Sequence, residues 1–268
     1  MFCNQCEQTA KGVACEIQGV CGKKPEVAAL QDLLTYAVRG LASVAAAART
    51  AGVGDPAVNR FTAKALFSTL TNVNFDPPRF AALIAEAVRL RDALKRNLEK
   101  TGASPTYTDP ASTFLPAEGL EALIKQGEAI RLPIDWSRDA DIRSLQETTL
   151  YGLRGISAYA DHAAILGRES DEVYAFVHKA LAALTDKSLG LNDWVGLALG
   201  AGAANLKVMD LLDAANTGAY GHPVPTPVPL GHKAGKAIVV SGHDLKDLEE
   251  LLKQTEGKGI TVYTHGEM

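Results

Sequence analysis

No cysteine follows Cys21, so whatever the four thiols of this 268-residue chain do is confined to its first 21 positions. Nor is there an uninterrupted apolar run of about 18 residues, the length that a membrane-spanning helix needs. Basic residues do not prevail. Lys and Arg number 27 against 31 Asp and Glu, for a formal net charge of −4. That balance excludes the strongly basic surface expected of a nucleic-acid or anionic-membrane binder. The N-terminus is polar and cysteine-rich, which excludes the apolar segment of a signal peptide. The expected compartment is therefore the cytoplasm. Thiols stay reduced there, and clustered cysteines hold metal more often than disulfides.

Most of the chain reads as helix. Leu30, Leu33, Leu34, Ala37, Val38, Leu41, Val44 and Ala45 recur at three and four within residues 23–50, with Pro25 in the first turn. Further helices are expected over 57–70 and 78–100. The stretch 103–116, with three prolines, reads as a linker. Beyond it the pattern repeats. LQDLLTYAVRGLA at 30–42 matches LQETTLYGLRGIS at 145–157, pairing Tyr36 with Tyr151, Arg39 with Arg154 and Gly40 with Gly155 at an offset of 115. LFSTLT at 66–71 has a weaker counterpart near 181–186. A duplicated three-helix bundle is expected. Gly40 and Gly155 fall inside helices, where glycine is unfavourable, so close helix crossings are expected at both. Arg39 and Arg154 read as solvated or structurally paired.

After Tyr220 the texture changes. HPVPTPVPL at 222–230 is an extended connector. Residues 237–241 and 260–264 read as strands, joined by a helix that Asp244 can cap, which makes one parallel βαβ unit. The expected fold is mainly α: two repeated three-helix bundles, then the start of a Rossmann-like α/β domain. The expected division is a cysteine loop at 1–22, bundles at 23–110 and 111–221, and a connector with the start of the α/β domain at 222–268.

Cys3, Cys6, Cys15 and Cys21 follow the spacing C-x2-C-x8-C-x5-C. Four thiolates from one short loop suit an iron–sulfur cluster. Structural zinc also takes four, typically as two close pairs, whereas here only the first two are close. Zinc and two disulfides remain alternatives. A second constellation lies at the chain's other end. His243 follows the first expected strand and Glu267 the second, each after a glycine. Parallel neighbours end on one sheet edge, where α/β folds bind ligands. An imidazole and a carboxylate there make half of a transition-metal site, or simply loop residues. His162, His178, His222, His232 and His265 have no such context and read as structural or solvated.

The stretches MFCNQCEQTAKGVAC, LQDLLTYAVRG, LLDAANTGAYG and SGHDLKDLEELLKQTEGKGITVYTHGEM resemble the hybrid-cluster, or prismane, proteins. The resemblance covers the whole chain and implies the hydroxylamine reductase family. It implies two three-helix bundles followed by two Rossmann-like domains. It places a 4Fe–4S cubane on Cys3, Cys6, Cys15 and Cys21, and makes His243 and Glu267 the first two ligands of a hybrid iron–sulfur–oxygen cluster. Two-electron reduction of hydroxylamine to ammonia, a link to nitric oxide and nitrosative stress, and a redox electron donor follow from it. Family members draw their remaining hybrid-cluster ligands from further domains. The hybrid cluster is therefore expected only in a full-length chain, and this one reads as an N-terminal fragment. Two other functions stay open: a non-catalytic electron-transfer or redox-sensing module, and a zinc-stabilised helical interaction protein.

Overall fold

The structure is a computed structural model and describes residues 1–130 and 138–268. Eight α-helices occur among them: α1 Pro25–Thr50, α2 Pro56–Ser68, α3 Pro77–Glu99, α4 Leu120–Ile130, α5 Ala140–Ile165, α6 Asp171–Ala183, α7 Leu191–Tyr220 and α8 Leu245–Thr255. Two strands complete the list, β1 Lys236–Ser241 and β2 Ile260–His265. Several boundaries follow from local chemistry. Asp55, Asp139 and Asp244 each accept backbone N–H bonds at the start of the following helix, and Pro25, Pro56 and Pro77 occupy first turns. The chain forms two compact units, Met1–Ala215 and Asn216–Met268.

In the first unit the internal repeat is visible in the element bounds. The bounds of α5 and α6 lie 115 residues after those of α1 and α2. The packing crosses between the copies: α1 lies against α6, and α2 against α5, while α1 also packs on α3 and α4. Leu30, Leu33, Leu34, Val38 and Leu41 of α1 are fully buried at the centre of this core. Each fully buried side chain of this size contributes roughly 1.5–3 kcal/mol.

The expected glycine crossing holds at one site and not at the other. A Cβ on Gly40 would stand 2.1 Å from the Ala111 carbonyl oxygen, whereas Gly155 has open space. What crosses Gly40 is a 3-10 turn, Pro110–Thr113, within the stretch that reads as a linker. Its proline and polar composition suggests solvent exposure, yet Asp109, Ala111 and Ser112 are buried. Cations from α1 and α3 satisfy its polar groups. Arg39 pairs with Asp109, Arg91 Nη1 donates to the carbonyls of Ala111 and Phe114, and Lys95 Nζ donates to that of Ser112.

α7 is, among the described residues, the one helix long and apolar enough by length and composition to cross a membrane, a test that soluble core helices also pass. It buries Trp194, Ala201, Ala204 and Val208 and exposes Leu199 and Leu206.

His178 on α6 is buried. Its Nε2 lies 3.0 Å from Thr62 Oγ1, and Arg49 Nε lies 3.4 Å from its Nδ1. Arg49 also binds Asp171 through both terminal nitrogens. Burial first, then the Arg49 charge, pushes the imidazole from its ordinary 6.5 down to about 3, against the opposing pull of Asp171. Between those values the unfolded chain takes up a proton that the folded chain refuses. The stability contributed by neutral His178 is therefore complete above pH 6.5 and is lost as pH falls towards 3, by up to about 1.4 kcal/mol per pH unit. Urea unfolding of the wild type and His178→Gln across this window is expected to show a shallower acid slope in the variant. Equal slopes would refute the assignment.

In the second unit β1 and β2 are parallel and in register from Lys236↔Ile260 to Ser241↔His265. α8 connects them. No residue of these three elements is fully buried, as two strands and one helix enclose little interior.

Candidate functional site

The cysteine loop is folded back on itself. Cys3 and Cys15 form an antiparallel bridge, with N–H to O distances of 3.2 and 2.8 Å in the two directions. Between them Ala10–Gly12 forms a 3-10 turn. Its first N–H, that of Ala10, points at Cys15 Sγ at 3.5 Å. Backbone hydrogen bonds from Ala10 and then Val20 hold the Cys15 thiol below its ordinary value, opposing the effect of burial. At Cys3 the donor is a side chain: Lys23 Nζ lies 3.6 Å from the sulfur. All four cysteines are free thiols. Cys15 is buried, Cys3 and Cys6 half-buried and Cys21 exposed. Among the described residues no three His, Cys, Asp or Glu side chains stand together as a single metal ion requires.

Two residues inside the Cys3–Cys6 pair anchor the loop to the helices. Tyr151 on α5 donates its hydroxyl to Asn4 Oδ1 at 2.5 Å, and the Thr71 N–H donates to Gln5 Oε1 at 2.9 Å. Burial, reinforced by Glu147, pushes the Tyr151 phenol up to about 12, so it stays protonated and keeps donating. Arg154, one turn along, is buried and donates from Nε to Thr69 Oγ1 at 3.1 Å. The repeat partners have therefore diverged. Tyr36 meets Phe114 edge-on and lies under the Arg39 guanidinium, serving the core, whereas Tyr151 serves the cysteine loop. A cleft of about 1510 Å³ opens beside Cys3, and Tyr36, Arg39, Tyr151 and Arg154 all line it. The Tyr and Arg repeat signal is present in the sequence, but its connection to the cysteine loop is not.

At the other end, His243 and Glu267 each stand two residues beyond the paired strand ends Ser241 and His265. They thus occupy equivalent positions at the carboxyl edge of the two-stranded sheet. The preceding residues, Gly242 and Gly266, have φ of 138° and 70°, the region that favours glycine. A third residue shares the edge: His265 Nδ1 lies 3.1 Å from Ser241 Oγ. Its place at the last position of β2 was the available signal. His178, by contrast, is structural.

The model of the Prismane/CO dehydrogenase family matches residues 1–268. The chain belongs to this family. A protein named hydroxylamine reductase from Syntrophobacter fumaroxidans is 61% identical over 268 residues, covering all of this chain and 49% of that protein. A hydroxylamine reductase of Methanocella arvoryzae is 59% identical, with 50% of its length covered, and one of Trichormus variabilis 47%, with 49% covered. The chain thus spans about half the length of the curated relatives it matches.

Membership in the prismane family implies iron–sulfur clusters, and the donor set fits such a group. Four thiols share one loop, and N–H donors already face the sulfurs of Cys3 and Cys15, as anionic ligands require.

Proposed function

We propose that this chain carries the electron-entry part of a hydroxylamine reductase, with Cys3, Cys6, Cys15 and Cys21 holding a 4Fe–4S cluster. The observation that carries the reading is the four-thiol loop with donors already directed at two of its sulfurs. When bound, such a cluster takes up and releases single electrons. The chain's own residues supply the setting. Tyr151 and Thr71 hold the loop against the helices, and the Ala10 amide and Lys23 face sulfur.

The whole-protein reaction breaks the N–O bond of hydroxylamine, consuming two electrons and two protons and yielding ammonia and water, with nitric oxide as a related substrate. His243 and Glu267 would serve a second, hybrid centre. Two donors fall short of what a cluster needs, and the other half of the relatives' length is where the rest would come from. We place the protein in the cytoplasm, with a redox donor as partner and neither nucleic acid nor membrane.

The test is anaerobic purification of this chain, followed by iron, zinc and sulfide analysis and EPR before and after dithionite. About four irons and four sulfides per chain are expected. Zinc without sulfide would overturn the reading.

A further inference from the structure

We propose that Lys23 is a fixed positive charge that raises the reduction potential of the cluster held by the cysteine loop, an inference that rests on the iron–sulfur reading above. Two lysines stand side by side where the loop meets α1, and they behave differently. Lys24 is exposed, as a surface ammonium should be, while Lys23 is only 1% exposed and is among the largest fully buried side chains in the molecule. Its backbone is held in place by the Gly19 N–H, which donates to the Lys23 carbonyl at 2.8 Å. Its ammonium ends 3.6 Å from Cys3 Sγ.

Among the described residues no carboxylate forms an ion pair with it. Removing an ammonium from water without a counter-charge is unfavourable. The group that this ammonium faces is sulfur, and sulfur compensates that cost only when it is anionic. Lys23 thus lies against one of the two bridged cysteines of the set. Reduction adds a negative charge to thiolate-held iron, and a compact cation in a site shielded from water favours the reduced form over the oxidised one. An uncharged side chain of similar length, such as methionine, would fill the space without this bias.

The test compares Lys23→Met, Lys23→Arg and the wild type of this chain, each loaded anaerobically and titrated redox-potentiometrically with EPR detection, with iron and sulfide measured alongside. Lys23→Met is expected to retain the cluster. At the wild-type midpoint its oxidised-to-reduced ratio should shift at least tenfold towards oxidised, equivalent to about 59 mV for one electron. Lys23→Arg should stay near the wild type. Loss of the cluster in Lys23→Met with normal loading in Lys23→Arg would also support a charge role. A wild-type midpoint in a loaded Lys23→Met variant would overturn the inference and leave the iron–sulfur reading intact. Equal loss or equal shift in both variants would do the same, since the requirement would then be for lysine's shape. A wild type that binds no sulfide would overturn both.

Discussion

Cys15→Ala is expected to strip the chain of bound iron and sulfide while leaving its helical content unchanged. Cys15 is the most buried of the four thiols, and backbone hydrogen bonds from Ala10 and then Val20 favour its thiolate. Alanine removes the proposed ligand and leaves the Ala10 and Val20 amides without the sulfur they face. It does not remove the Cys3–Cys15 bridge, which is made by backbone atoms alone. Nor does it touch the main apolar core, where Leu30, Leu41, Leu66 and Ile84 are fully buried and to which Cys15 does not belong. Iron should fall below about a tenth of the wild-type content, since a cubane missing one of its four thiolates is readily lost. Iron and sulfide assays check the first half of the prediction, and far-UV circular dichroism the second. An alanine variant with full iron and sulfide would remove Cys15 from the ligand set.

The helices and the small parallel sheet were legible because their signals are periodic. Apolar positions three and four apart marked α1, and β-branched runs bounded by glycine marked β1 and β2 within a residue or two. The match of Tyr, Arg and Gly at an offset of 115 showed the repeat, but not that α1 would pack on α6 and α2 on α5. Packing partners depend on the three-dimensional arrangement of whole helices, which a one-dimensional pattern does not contain. The spacing marked the four cysteines as a candidate metal-binding set but left iron–sulfur, zinc and disulfide readings open. Lys23 was not legible, because an adjacent Lys24 makes the pair look like surface charge, and only the folded loop reveals which of the two is enclosed. Tyr151 was noticed as half of a repeat, while its bond to Asn4 depends on a loop brought from 147 residues away. The burial of the stretch 103–116 was not legible for a similar reason. Proline, serine and aspartate mark irregular backbone, but irregular backbone can be buried when distant cations satisfy its carbonyls.

That buried turn yields the second large effect. Asp109→Ala is expected to destabilise the Met1–Ala215 unit by roughly 3–5 kcal/mol, the usual cost of leaving one member of a buried ion pair alone. Arg39 Nε and Nη2 reach the two Asp109 oxygens at 2.8 and 3.1 Å, and both side chains are buried. The same carboxylate accepts the Ala111 N–H at 2.9 Å, so its removal also loosens the turn that lies on Gly40. A fall in thermal midpoint on the order of 10 °C should follow for a unit of this size. The double replacement Arg39→Met with Asp109→Leu separates the two contributions. If the loss comes mainly from a stranded guanidinium, removing both charges should recover most of the stability, because apolar replacements of buried pairs are often near neutral. If it comes mainly from the turn, the double variant should remain as unstable as Asp109→Ala, and thermal unfolding of the three chains decides between them. The Tyr36 ring, 4.8 Å from the guanidinium, is already placed to pack against the methionine. Recovery is therefore the expected result, and it would assign Arg39 to the architecture of the helical unit, leaving Tyr151, its own repeat partner's neighbour, to support the cysteine loop.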